Sequence, residues 1–313
     1  MTLRWMREMD RLDAAADAGR RPATRAALRL DAMTGDWINT NAESSGLRRV
    51  VVSTRDGGGG GGMAVRPVSA GEPAPGDWGT LAADAVFADG MRSDHGMAWI
   101  ALARTASGWE SRLQANVNLG LLVLAVFHAS PGRERSSWFA REFYRRAGDA
   151  AGPDPGATAA DAAAERTAAG APPAGSGAGG GGTGGIGGTG GSDETGGGGV
   201  DPAPLAGTWH NTNPAARGIA RINLERTNGA FTARVAGVGG AAPVDWGRAP
   251  AIPFAHDAAA RAAMAFRAAY DFGFQQVELQ ANVKQGVLVV ASFNSFAAGD
   301  PRSSYFTREF FYR

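Results

Sequence analysis

Over the last third of the chain, apolar residues recur at every second position in short runs. Val277, Leu279, Ala281 and Val283 alternate with Glu278, Gln280 and Asn282, the period of a half-buried strand and not of a helix. Phe266, Ala268, Tyr270 and Phe272 share one face of a preceding run, and Phe306, Arg308, Phe310 and Tyr312 share one face of the last. Lys284-Gln285-Gly286 separates two of the runs and predicts a hairpin that continues through 287–293. Adding 208–211, 218–227 and 229–238 gives about seven or eight short antiparallel strands, the pattern of an all-β sandwich or closed barrel. Closure has the advantage of removing exposed edges. At the other end of the chain the period changes. Leu3, Met6, Met9 and Leu12 recur at helical spacing among charged residues, which predicts a short helix with one apolar stripe, docked on its barrel or frayed in solvent.

The strand pattern is present twice. Gly35-Asp36-Trp37-Ile38-Asn39-Thr40-Asn41 returns as Gly207-Thr208-Trp209-His210-Asn211-Thr212-Asn213, and Asp77-Trp78-Gly79 as Asp245-Trp246-Gly247. Leu113-Gln114-Ala115-Asn116-Val117 is identical to Leu279-Gln280-Ala281-Asn282-Val283. Arg135-Ser136-Ser137-Trp138-Phe139-Ala140-Arg141-Glu142-Phe143 matches Arg302-Ser303-Ser304-Tyr305-Phe306-Thr307-Arg308-Glu309-Phe310. Four blocks in one order define a tandem repeat. The chain therefore divides into a helical leader at 1–32, one barrel at 33–146, a Gly/Ala-rich linker at 147–203 and a second barrel at 204–313.

A linker of that composition behaves as a flexible coil spanning about 40 Å, which leaves each barrel free to reorient. A G-x-G-x-x-G match within it has no strand before it and no helix after it, and is compositional. The glycine run at 57–62 stands where the second copy has a hairpin turn, and reads as an expanded loop.

Charge and composition exclude more than they assign. Lys plus Arg number 31 against 30 for Asp plus Glu, so no basic excess points to nucleic acid. Without cysteine there is no disulfide framework, thiolate site or cysteine nucleophile. No run approaches the roughly 18 apolar residues of a membrane span, and the leader lacks the apolar stretch of a signal peptide. The expectation is a cytoplasmic, soluble protein without a cofactor or membrane span.

Leu205-Ala206-Gly207-Thr208-Trp209-His210-Asn211 resembles the opening of calycin barrels, the lipocalin and avidin superfamily. That resemblance implies that an Arg near the end of the last strand packs across the first-strand Trp, pairing Arg308 with Trp209 and Arg141 with Trp37. The Trp-x-Asn spacing is similar to avidin-type proteins, in which the Asn reaches a ligand carbonyl; it falls on Asn39 and Asn211. The set Trp-x-Asn-x-Asn, Arg-Gly-Ile, Asp-Trp-Gly and Arg-Glu-Phe also resembles a bacterial repeat domain that implies no particular activity.

Each candidate residue has a plainer reading. Asn39 and Asn41, with Asn211 and Asn213, alternate onto the face of Trp37 and Trp209, as polar handles in a lumen or as amides that tie down the first loop. Trp78 and Trp246 are ligand-stacking aromatics, or cap the core beside a turn whose Asp bonds backbone amides. Arg141-Glu142 and Arg308-Glu309 must point to opposite faces; a buried Arg needs a partner, which favours the Trp-stacked role. The four histidines have no equivalents between copies, so they read as surface or loop residues and not as a metal site. No shared carboxylate pair or nucleophile emerges. The expectation is a non-catalytic tandem barrel protein that binds a small, partly apolar ligand or a protein partner, with avidity from two tethered copies. The alternatives are a small-barrel cyclase or isomerase, and a structural or interaction repeat with filled barrels.

Overall fold

The computed structural model describes residues 28–55, 62–69, 78–91, 93–104, 108–132, 135–149, 199–239, 242–297 and 300–313. The expected leader helix lies outside them, as do most of the linker, Asp77 and all but the last residue of the glycine run. Among the described residues no helix is long and apolar enough to cross a membrane.

The architecture is all-β. The first eight strands are β1 (Gly35–Asn39), β2 (Leu47–Arg55), β3 (Gly62–Ser69), β4 (Leu81–Ala88), β5 (Gly96–Arg104), β6 (Glu110–Asn118), β7 (Leu121–Ala129) and β8 (Trp138–Arg146). Each pairs antiparallel with the next, and β8 returns to β1 with Trp37 opposite Arg146, closing a barrel. The remaining strands are β9 (Gly207–Asn211), β10 (Ile219–Thr227), β11 (Ala230–Gly237), β12 (Val244–Phe254), β13 (Ala265–Asp271), β14 (Gln275–Lys284), β15 (Val287–Phe296) and β16 (Tyr305–Tyr312). They pair in the same order, with β16 returning to β9.

Turn chemistry fixes the register. Three hairpins turn through a residue and a glycine both at positive φ: Leu119-Gly120 (49° and 79°), Asn228-Gly229 (52° and 81°) and Gln285-Gly286 (51° and 79°). Two such residues make the tight hairpin turn whose twist matches that of the strands it joins. The alternation read from the sequence follows: Phe266, Ala268, Tyr270 and Phe272, with Val277, Leu279 and Ala281, all enter one buried cluster inside β9–β16. The equivalent cluster inside β1–β8 holds Trp37, Trp99, Leu113, Leu122, Leu124 and Tyr144. Large side chains thus occupy both lumens, as a barrel of eight strands allows.

The ends are also covered. Leu30 and Met33 pack into the first interior, Val200 and Leu205 into the second. Trp37 Nε1 donates to the Met33 carbonyl at 2.9 Å and Trp209 Nε1 to the Leu205 carbonyl at 3.0 Å. The packed segments therefore begin several residues before the barrel starts expected at 33 and 204.

The expectation of freely reorienting barrels is overturned. The barrels pack through the outer faces of β4–β8 and β12–β16 in two copies of one arrangement. Phe87 meets Phe293 edge to face at 5.1 Å, and Phe254 meets Phe127 at 4.9 Å. Phe293 packs on Phe306 at 5.1 Å, and Phe127 on Phe139 at 4.8 Å. Ala88 N–H donates to the Ser304 carbonyl at 2.8 Å, and Ala255 N–H to the Ser137 carbonyl at 2.9 Å. Ser303 N–H bonds the Met91 carbonyl, and Ser136 N–H the Ala258 carbonyl, both at 3.0 Å. Each of these contacts recurs with the copies exchanged, so a pseudo-twofold axis passes through this part of the seam.

Candidate functional site

The sequence-derived site residues fall into two places. The first is the end of each barrel under the β1–β2 or β9–β10 loop. Asn39 Nδ2 donates to the Leu47 carbonyl at 2.8 Å while its Oδ1 accepts from Asn41 N–H at 2.9 Å; Asn41 Oδ1 accepts from Glu43 N–H. Asn211 and Asn213 repeat this with Ile219 and Ala215, and Asn211 Nδ2 also reaches Glu309 Oε1 at 2.9 Å. The amides are engaged with their own loop.

Strand parity corrects the closure pair. Because β8 and β16 alternate, Glu142 and Glu309 face inward and Arg141 and Arg308 face outward. The cation over Trp37 is Arg146, at 4.5 Å from the ring, and over Trp209 it is Arg313, at 4.4 Å. Both sit one odd step of five residues beyond the expected arginines, on the inward face. Arg146 also donates to the carbonyls of Asp31, Ala32 and Thr34, and Arg313 to that of Pro204, so each ties the entering segment to the barrel.

The inward glutamates anchor the same loop. Glu142 accepts from Ser44 Oγ and from Tyr144 OH. Glu309 accepts from Ile219 N–H at 3.1 Å. A Cβ at Gly46 would stand 2.8 Å from Glu142 Oε2, and one at Gly218 would stand 2.7 Å from Glu309 Oε2, which explains why both copies carry glycine there. Burial raises the Glu309 carboxyl above its ordinary range, opposed by the Ile219 and Asn211 donors. Burial, with the Glu142 charge second, raises the Tyr144 phenol.

Trp246 lies edge to face on Tyr270 at 5.5 Å and on Phe272 at 5.6 Å, beside a turn in which Gly247 N–H bonds Asp245 Oδ1. Trp78 bonds Ser69 Oγ at 3.3 Å and packs against the first interior. Both cover the core.

One histidine departs from the expected surface or loop placement. His128 stacks on Trp138 at 3.8 Å, and its Nδ1 is 2.8 Å from Ser111 Oγ. Burial lowers its pKa to about 4, so it is neutral near pH 7. Neither its inward-facing place in β7, within a run that is apolar on both faces, nor its stacking partner ten residues on in β8 leaves a local signal in the sequence.

The second place is the seam. A cleft of about 30 Å³ there is walled by equivalent residues of the two copies, among them Gln114 and Gln280, Arg141 and Arg308, and Phe127 and Phe293. Gln114 and Gln280 are 2% and 4% exposed. Gln114 Nε2 donates to Glu278 at 2.9 Å, but Gln114 Oε1 and Gln280 Nε2 have no partner. A buried amide atom without a hydrogen bond costs about 1–3 kcal/mol. Arg141 lies 5.6 Å from the Phe143 ring and forms no ion pair among the described residues. Burial first, then the charge of Arg308, lowers its pKa to about 10. The same two causes in that order, burial and then Arg141, lower Lys284, which lies 5.8 Å from the Phe143 ring.

A wider groove of about 560 Å³ opens along the seam beside Phe87, Phe293, Asp84, Asp271, Arg112 and Glu278. Glu278 bonds Arg112 across the seam and Arg267 within its own sheet, the latter at 3.0 Å. The repeat blocks signalled the seam only indirectly, because outward residues shared between copies look the same in sequence whether they face solvent or each other.

The chain matches no protein-family model and no curated protein.

Proposed function

We propose that this chain is a non-catalytic binding protein whose two calycin-like barrels form the halves of one composite site, with a small, partly apolar molecule held at the seam and in neither lumen. The observation that carries the reading is the pair Gln114 and Gln280, equivalent in the two copies, buried at the cleft wall and each with one amide atom unpartnered. Phenylalanines beside them supply apolar surface, so the combination is that of a ligand site, a few polar groups in an apolar wall. The lumens argue the other way. They are packed with side chains, and Asn39 and Asn211 bond the backbone. The same filled interiors favour a second reading, an interaction repeat in which the seam is only a structural joint.

Native against denaturing mass spectrometry on the whole chain purified from a bacterial host separates them. A released molecule that is lost in Gln280→Leu supports the composite site. Bare protein at its sequence mass, with no effect of Gln280→Leu on any added ligand, supports the joint.

A further inference from the structure

A block that is letter-for-letter identical in the two copies builds a wall of the cleft. In Leu113-Gln114-Ala115-Asn116-Val117 and Leu279-Gln280-Ala281-Asn282-Val283, strand alternation sends the leucines and alanines into the interiors and the amides to the outer face. Gln114, Asn116, Gln280 and Asn282 therefore all reach the cleft. Two of these amides hold atoms that the fold leaves unsatisfied. Gln114 Nε2 donates to Glu278 at 2.9 Å, and that carboxylate, ion-paired with Arg112 and Arg267, only accepts. The amide cannot turn over, and Gln114 Oε1 is fixed as an acceptor. That oxygen and Gln280 Nε2 are buried without a partner among the described residues. One acceptor and one donor at the wall of one small space define the group that belongs between them. It must offer a hydrogen to the first and an oxygen to the second.

Resting on the composite-site reading, we propose that the cleft takes the neutral carboxamide end of the ligand, a primary amide or a lactam, whose N–H donates to Gln114 Oε1 and whose carbonyl accepts from Gln280 Nε2. A carboxylate has acceptors only and sets its lone pairs against Gln114 Oε1. An ammonium has donors only and sets N–H against N–H at Gln280. A hydroxyl can serve both atoms, but it repeats the bonds of a water molecule and gains little by displacing one. The carboxamide carries donor and acceptor side by side in one rigid plane, so both bonds form without ordering a further rotor. A site built to bond such a group rejects the analogue that lacks it, because the buried atom is then left unpaired. The cleft, about 30 Å³, is room for roughly two water-sized groups, so the amide enters and the rest of the molecule stays outside. Phe127, Phe139, Phe293 and Phe306 wall the same cleft, which suits an aromatic or apolar body next to the head.

The test is a nitrogen-15 NMR titration of the full chain with benzamide, and separately with N,N-dimethylbenzamide, benzoate and benzyl alcohol. Benzamide should give saturating shifts of the Gln114 and Gln280 side-chain amide signals. N,N-dimethylbenzamide keeps the carbonyl and loses the donor, and benzoate has acceptors only; each should bind about tenfold or more weakly. Gln280→Met, similar in shape and without the N–H, should weaken benzamide by about as much. Because it removes an unpaired buried donor, the same variant should melt no lower than the parent chain, which separates a ligand-binding amide from a structural one. Benzoate, benzyl alcohol or the dimethyl form binding as tightly as benzamide, or linear shifts with every probe, overturn the carboxamide. If that happens while a neutral molecule is still lost from Gln280→Leu in mass spectrometry, the composite site stands and only its ligand class falls. Bare protein that Gln280→Leu leaves unaltered removes both.

Discussion

Arg112 and Glu278 hold the same position in the two repeats and bond one another across the seam. Placed near a pseudo-twofold axis, one position meets its own equivalent, so two identical barrels would oppose Arg to Arg or Glu to Glu. The divergence of this single position makes the first copy complementary to the second and repulsive to itself.

The first prediction concerns that pair. Their side chains are 21% and 17% exposed, so breaking the pair strands a largely desolvated charge at a cost of about 3–5 kcal/mol. Arg112→Glu should lower the urea midpoint strongly, and adding Glu278→Arg should restore only part of it, because Arg267 and Gln114 lose their acceptor. A double-mutant cycle with no coupling would refute the arrangement.

Arg146 and Arg313, not Arg141 and Arg308, close the barrels. A cation over an indole contributes about 0.5–2 kcal/mol, and the carbonyl bonds to 31, 32 and 34 add to that. Arg146→Ala should lower the melting temperature by several degrees and alter Trp37 emission, while Arg141→Ala leaves that emission unchanged. Equal thermal losses and equal emission changes would contradict the assignment.

His128 predicts an acid-side loss. Its folded pKa, about 4, lies below the ordinary value of about 6.5, so between these the unfolded chain binds the extra proton. Stability is therefore full above about pH 6.5 and falls as the pH drops towards 4, by about 2–3 kcal/mol after allowing for partial exposure. His128→Asn, the residue the second copy carries at 294, should flatten this slope in pH-dependent denaturation.

Glu309 acts in the opposite sense. Its folded pKa is raised by burial, so its contribution is present below the unfolded value of about 4.3 and is lost as the pH rises through the folded one. The stability of the parent chain relative to Glu309→Gln should decline over that rise. A difference that grows with pH would show that the carboxylate, and not the acid, is the better-held form.

The seam phenylalanines should be interchangeable. Phe127→Ala and Phe293→Ala each remove one edge-to-face and one tilted contact, and a buried Phe lost this way costs about 3–5 kcal/mol. Calorimetry should resolve two transitions in either variant, where the parent gives one. A single unchanged transition would mean that the barrels are not coupled through these rings.

Alternation by itself determined the strands, because a period of two is a local consequence of the pleat: the faces carrying Phe266 and Val277 could be read without any partner. The hairpin at Gln285-Gly286 was equally local, resting on a backbone conformation that glycine permits. The repeat showed that whatever one copy builds, the other builds also. Three things were decided only in three dimensions. Which of Arg141 and Glu142 faces inward depends on the register of β8 against β1, and a shift of one residue exchanges them. Whether Asn39 holds a loop or a ligand depends on where the Leu47 carbonyl comes to rest, eight residues on. Whether Gln114, Phe127 and Arg141 meet solvent or the other barrel depends on the docking of one closed barrel against another, a contact that spans more than 160 positions of sequence and leaves no periodicity along the chain to read.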